Sequence, residues 1–194
     1  WNPDWDMKVD AEEFERLSGL CLREDFDMEA GKEQWKEAIA LYKGEFLPGA
    51  GSVTWVMEKR EHCRSLYKKL VRKACLWLLE TRQYKEAEET ADTGLSIYEY
   101  QEEFEGCKIL TLYYMGQVEA ALNRYLMVME KFYKERQITP SDKFKELYHL
   151  ISTSHLEEPK SFDDITTELS DPETAEDKTE ENHYGAYECE YSVF

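Results

Sequence analysis

Histidines, cysteines, carboxylates and glycine-rich turns are the parts from which this chain could assemble a reactive or ligand-binding centre, and each needs a particular spacing to do so. Of the four histidines, His149 and His155 stand six residues apart and His62 and His183 are isolated. No pair has the one-turn helical spacing that places two imidazoles on one metal ion. Each histidine reads as solvent-exposed, and no metal is expected. Gly49-Ala50-Gly51 resembles the start of a phosphate loop, but no third glycine and no Gly-Lys-Ser/Thr follows. A phosphate cradle needs several backbone amides aligned at a helix start, so a structural turn accounts for these glycines. No Ser/His/Asp or Cys/His arrangement for nucleophilic catalysis is present. With 42 aspartates and glutamates, most carboxylates are solvated faces, and nothing in their order singles out a pair with separated pKa values. The expectation is a non-enzyme with no catalytic residues and no cofactor.

Five cysteines at 21, 63, 75, 107 and 189 form an odd set without Cys-x-x-Cys spacing, unlike a disulfide framework. The first four fall on or near apolar helical stripes, where a thiol acts as a small hydrophobe, and read as reduced core residues of a cytoplasmic protein. No apolar run approaches the roughly 18–20 residues needed to cross a bilayer, and no signal peptide opens the chain. The net charge is −18, and residues 155–183 hold eleven acids against two lysines. Nucleic-acid affinity is driven by Lys and Arg neutralising phosphates, so so acidic a surface argues against direct contact with DNA or RNA.

The elements that would position a binding surface repeat. Tyr84, Ala87, Ala91 and Leu95 fall 34 residues before Val118, Ala121, Tyr125 and Met129, and Leu70 and Leu78 precede Phe104 and Leu112 by the same interval. Thirty-four residues is the helix-turn-helix length of a tetratricopeptide unit, which stacks on its neighbours to bury its apolar face and leaves a concave surface free. Trp35, Ala38 and Tyr42 have the spacing of Tyr84, Ala87 and Ala91, an irregular first unit offset by a 15-residue insertion.

The expected helices are six in three hairpins, plus a seventh. The first opens at Asp10, with Asp10 and Glu13 as a capping box, and ends near Arg23; the second carries Trp35, Ala38, Ile39 and Tyr42 on one side. An ordered connection, Gly44 to Ser52, follows, in which Phe46 and Leu47 seek burial. Thr54 caps the third helix, with Glu58 in its first turn, and the helix reaches about Leu79. The fourth spans Tyr84 to about Ile97, the fifth Gln101 to Met115 and the sixth Gln117 to Tyr133. Gly116 makes a tight turn, and Arg82 holds the equivalent place one period earlier. The last starts at Thr139-Pro140-Ser141-Asp142, with Thr139 capping and Pro140 in the first helical position. Its face of Phe144, Leu147, Tyr148 and Ile151 suits a capping helix. The fold class is therefore all-α, a tetratricopeptide-like right-handed stack of about three helical hairpins and a C-terminal cap. Residues 1–9 read as a lead-in, 10–152 as the helical domain and 153–183 as an acidic linker. Residues 184–194, aromatic and alternating, read as the first strand of a further domain. A start without Met, with both ends in polar sequence, reads as a piece of a longer protein.

Carried onto the tetratricopeptide pattern, the register turns Lys69, Arg72, Leu76 and Leu79 of one repeat and Glu103, Leu110, Tyr113 and Tyr114 of the next toward the concave side. That mixed, partly aromatic groove suits a helix or an extended peptide. Tetratricopeptide domains that clamp a peptide carboxylate resemble one another in using asparagine where this chain has Leu76 and Leu110, so such a clamp is not expected.

One stretch, Leu41-Tyr42-Lys43-Gly44-Glu45-Phe46-Leu47-Pro48-Gly49, is followed by Trp55, Glu58-Lys59-Arg60 and Leu66-Tyr67, and further along by Glu102-Glu103, Gly116, Ala121-Leu122, Tyr125 and Pro140-Ser141. In these residues the chain, over 8–152, resembles the bacterial transcriptional activator domain of antibiotic-pathway regulators and related winged-helix activators, whose corresponding segment reads Leu-Tyr-Arg-Gly-Glu-Phe-Leu-Pro-Gly. The chain departs from the family at Glu105, where a histidine is common, and at Gly106-Cys107, so no contact is transferred from that helix. The resemblance implies a non-catalytic regulatory module of a bacterial transcriptional regulator, acting through a protein partner or self-association. DNA binding would belong to a winged-helix domain outside this sequence. A stand-alone tetratricopeptide scaffold and a small-molecule-sensing helical domain are the alternatives.

Overall fold

A computed structural model describes residues 10–137 and 139–153. The expected lead-in at 1–9, the acidic linker beyond Thr153 and the strand at 184–194 lie outside the described residues. Within them every regular element is helical: α1 (Asp10–Cys21), α2 (Lys32–Leu41), α3 (Thr54–Glu80), α4 (Tyr84–Ile97), α5 (Glu102–Tyr114), α6 (Val118–Lys131), a π-helical turn (Phe132–Arg136) and α7 (Asp142–Thr153). Consecutive helices pack as hairpins. In addition α1 packs on α3, α3 on α5 and α5 on α7, so the first helix of each hairpin lies beside the first helix of the next.

The 34-residue echo survives as identical stereochemistry. At the end of α3 the amide of Gln83 donates to Leu78 O and that of Arg82 to Leu79 O; at the end of α5 Gln117 donates to Leu112 O and Gly116 to Tyr113 O. Both are Schellman closures, which require a left-handed residue just past the helix. Gly116 has φ +77° and Arg82 φ +59°. Glycine takes that conformation without cost, whereas an L side chain is disfavoured by about 1–2 kcal/mol. Arg82→Gly is therefore expected to raise the melting temperature in a thermal scan and Gly116→Ala to lower it, each by about 1 kcal/mol in stability.

One continuous core runs through the stack. Phe14 and Leu17 of α1 and Trp35, Ala38 and Ile39 of α2 join Tyr67, Leu70, Val71, Ala74 and Leu78 of α3. Ala87 and Ala91 of α4, Ile109 and Leu110 of α5, Ala121 and Tyr125 of α6 and Phe144, Leu147 and Ile151 of α7 complete it. Gly94 is required by close approach: a Cβ there would stand 2.7 Å from the Phe104 ring and 3.1 Å from Val71. Cys21, Cys63, Cys75 and Cys107 are buried free thiols. Tyr42 stacks on Tyr67 with ring centroids 4.3 Å apart, and its hydroxyl meets that of Tyr98 at 2.5 Å. Burial pushes the Tyr42 and Tyr67 phenols above their ordinary value of 10.0. Their neutral forms are favoured by folding, so their contribution is complete below pH 10 and is lost as pH rises beyond it. Tyr42→Phe, which cannot ionise, is expected to soften the alkaline fall in melting temperature.

Three local expectations are corrected. Thr54 is the first helical residue, not the cap; Val53 is the cap, without a side-chain hydrogen bond, and no acid lies in the first turn of α3. At α7 the cap is Ser141, whose hydroxyl accepts from the Phe144 amide at 3.3 Å. The helix begins at Asp142, because the Glu102 carboxylate grips the amide and hydroxyl of Ser141 and fixes the start there instead of at Thr139-Pro140. Leu47, expected to be buried, is 47% exposed and has φ +44°. The side chain beneath its loop is that of Arg60, whose guanidinium donates to the carbonyls of Phe46, Leu47 and Gly51. The connection is ordered, held through its carbonyls and through Phe46, whose ring meets Trp55 edge-on at 6.3 Å, while Leu47 stays outside.

Candidate protein-binding groove

Helix α3 carries seven of the chain's Lys and Arg residues. Lys73 turns back to donate to Cys21 O and Arg23 O at the end of α1, and Lys59 pairs with Glu15 at 2.5 Å. Arg64, Lys68, Lys69 and Arg72 recur at three-to-four-residue spacing and share a face of the helix. With Glu61, Ser65, Gln101 and Glu103 they line a groove of about 340 Å³ between α3 and the start of α5. Its four bases against two acids make it locally positive, in a chain whose net charge is −18. Arg64 reaches Glu45 at 2.8 Å and Glu61 at 3.1 Å, Lys68 stands 5.1 Å above the Tyr98 ring, and Arg72 lies 3.7 Å from Glu103. Lys69 is exposed.

Of the eight residues assigned to the concave side from the sequence, Lys69, Arg72 and Glu103 meet in this groove. Leu76 lies one turn beyond Arg72 and is half-buried, as are Tyr113 and Tyr114. Tyr114 stacks on Tyr84 of α4, centroids 6.3 Å apart, which carries it toward the other helix layer. Leu79 and Leu110 are core residues and cannot touch a partner. Both miss for one reason: α3 and α5 are packed on several sides, and α5 is buried without interruption from Phe104 to Thr111, so periodicity alone does not fix an outer face. Arg64 and Lys68 were not picked out from the sequence; their recurrence with Arg72 at four-residue intervals was the available signal.

A second cleft, about 330 Å³, lies where α1 and the end of α2 meet the Gly44–Pro48 connection; Phe14, Tyr42, Phe46 and Cys63 form its apolar wall, with Asp10 and Lys43 at its edge. Among the described residues no group of three or more His, Cys, Asp or Glu could hold a metal ion, and no helix is long and apolar enough to cross a membrane.

A stack of helical hairpins packed first helix to first helix defines an all-α module of the helical-repeat class. The family model of the bacterial transcriptional activator domain matches residues 9–152, and the chain belongs to that family. Comparisons with curated proteins and with solved structures give no significant match. The segments resembling the family are structural fasteners here. Arg60 laces the Gly44-to-Gly51 connection to α3, and Glu102 fastens Ser141, so the start of α7 is held against the start of α5. The chain is thus a transcription-regulatory domain.

Proposed function

We propose that this domain is the non-catalytic, protein-binding module of a cytoplasmic bacterial regulator, that the α3–α5 groove receives a segment of a protein partner or of a second copy, and that DNA is bound by a winged-helix domain outside residues 1–194. The observation that carries the reading is the positive groove lined by Arg64, Lys68, Lys69 and Arg72, in an otherwise acidic chain. Such a surface steers acidic or amphipathic protein segments by electrostatic complementarity. Light scattering and pull-down with Lys69→Glu and Arg72→Glu in the full-length protein test the reading. Loss of association at an unchanged melting temperature is expected, and unchanged assembly overturns it. The small-molecule alternative rests on the cleft beside Phe14 and Phe46, and a metabolite panel that raises the melting temperature would favour it.

A further inference from the structure

We infer that the occupant of the α3–α5 groove in the isolated chain is the chain's own acidic segment, residues 155–183, which thereby competes with any partner for the same surface. The inference rests on the reading of the groove as a protein-binding face and names what fills it.

Charge complementarity is the first argument. The groove sets four bases against two acids, while residues 155–183 hold eleven acids and two lysines. From Arg64 to Arg72 the basic face extends about 12 Å along the helix. Glu173, Glu176 and Asp177 fall within about 13 Å of extended chain, so three carboxylates fit the length over which the bases are spread.

Connection is the second. The segment follows directly on α7, which ends at Thr153. Helix α7 packs on α5 and α5 on α3, so the groove lies two interhelical spacings away, about 20 Å at the usual separation. The twelve residues of α7 add about 18 Å along the helix direction. Ten extended residues cover roughly 33 Å, which brings Asp163, Asp164 and the acids after them within range of Lys69 and Arg72. A tether of this length presents its ligand at an effective concentration on the order of millimolar. A free acidic peptide must exceed that to displace it. Attraction between exposed charges is screened within about 8–10 Å at moderate salt, so occupancy must fall as ionic strength rises.

The experiment is zero-length carbodiimide cross-linking of the whole 194-residue chain at low ionic strength, using an equal mixture of ¹⁴N- and ¹⁵N-labelled protein and peptide mass spectrometry. Amide links from Lys68 or Lys69 to acids of residues 155–183, within chains of one label, are expected at no less than fivefold the yield at Lys85, an exposed lysine on α4. Arg72→Glu keeps both lysines but reverses a groove charge, and should lower that yield at least fivefold, as should 0.5 M salt. Links at Lys68 and Lys69 no more frequent than at Lys85, or indifferent to Arg72→Glu, overturn the inference. Links joining chains of different label overturn it also, and assign the groove to a second copy. If the pull-down above responds to groove variants while these links are absent, the groove serves a partner and only the self-occupancy is wrong.

Discussion

Replacing Arg124 by methionine is expected to lower the unfolding free energy by about 3–5 kcal/mol. Glu105 sits on α5 with a side chain only 2% exposed, and both the Nε and an Nη of Arg124 on α6 donate to its carboxylate, at 3.0 and 2.6 Å. Methionine keeps the length and the packing of the arginine stem but leaves a buried carboxylate without a counter-charge, and desolvation of that charge is what the measured loss would report. Replacing both residues, Glu105→Leu with Arg124→Met, removes the charge as well as its partner and should return most of the stability, because well-packed apolar residues can substitute for a buried ion pair. Urea denaturation of the two variants reads the difference. A single variant within 1 kcal/mol of the parent would show that the pair is hydrated in solution.

Trp35→Ala is expected to cost about 3–5 kcal/mol, the range for emptying a fully buried aromatic site. Trp35 is 1% exposed, its indole N–H donates to Met28 O at 3.1 Å, and its ring meets Trp77 of α3 edge-on at 6.3 Å between centroids. The truncation therefore opens a cavity, orphans a buried carbonyl in the turn before α2, and removes an aromatic contact between the first hairpin and the second. Trp35→Phe refills most of the volume without the donor and should cost clearly less. A cooperative urea transition displaced without change of slope is expected for both, since neither alters the surface exposed on unfolding.

The two sites differ in how far their sequence foretold them. Trp35 was legible, since it opens the same three-then-four spacing as Tyr84, Ala87 and Ala91, and period is what a buried helical stripe leaves in a sequence. The same period foretold that Arg82 and Gly116 would occupy equivalent turns, and their matching positive φ angles follow from it. Glu105 stood out only as a departure from the family pattern, because its partner lies 19 residues away on another helix and a pairing of that kind leaves no periodic trace. Helix starts were legible to within two residues but their caps were not. Thr54 and Thr139 have capping chemistry, yet Val53 and Ser141 hold those places, the second because a carboxylate 39 residues earlier fixes it. Leu47 looked like a core residue by its hydrophobicity, but Arg60 organises that connection through its carbonyls and leaves the side chain outside. The groove was half legible: Lys69, Arg72 and Glu103 follow from the repeat register, whereas Leu79 and Leu110 fail because their helices are enclosed on more than one side.

The basic groove between α3 and α5 is the surface through which this regulatory domain is proposed to act. The most direct test is transcription from the target promoter by the intact regulator carrying Lys69→Glu and Arg72→Glu, beside a control that reverses the exposed Lys85 of α4. With melting temperatures matched to the parent, at least a tenfold change in promoter output is expected for the groove variant and none for the control. Equal output from parent, groove variant and control would contradict it.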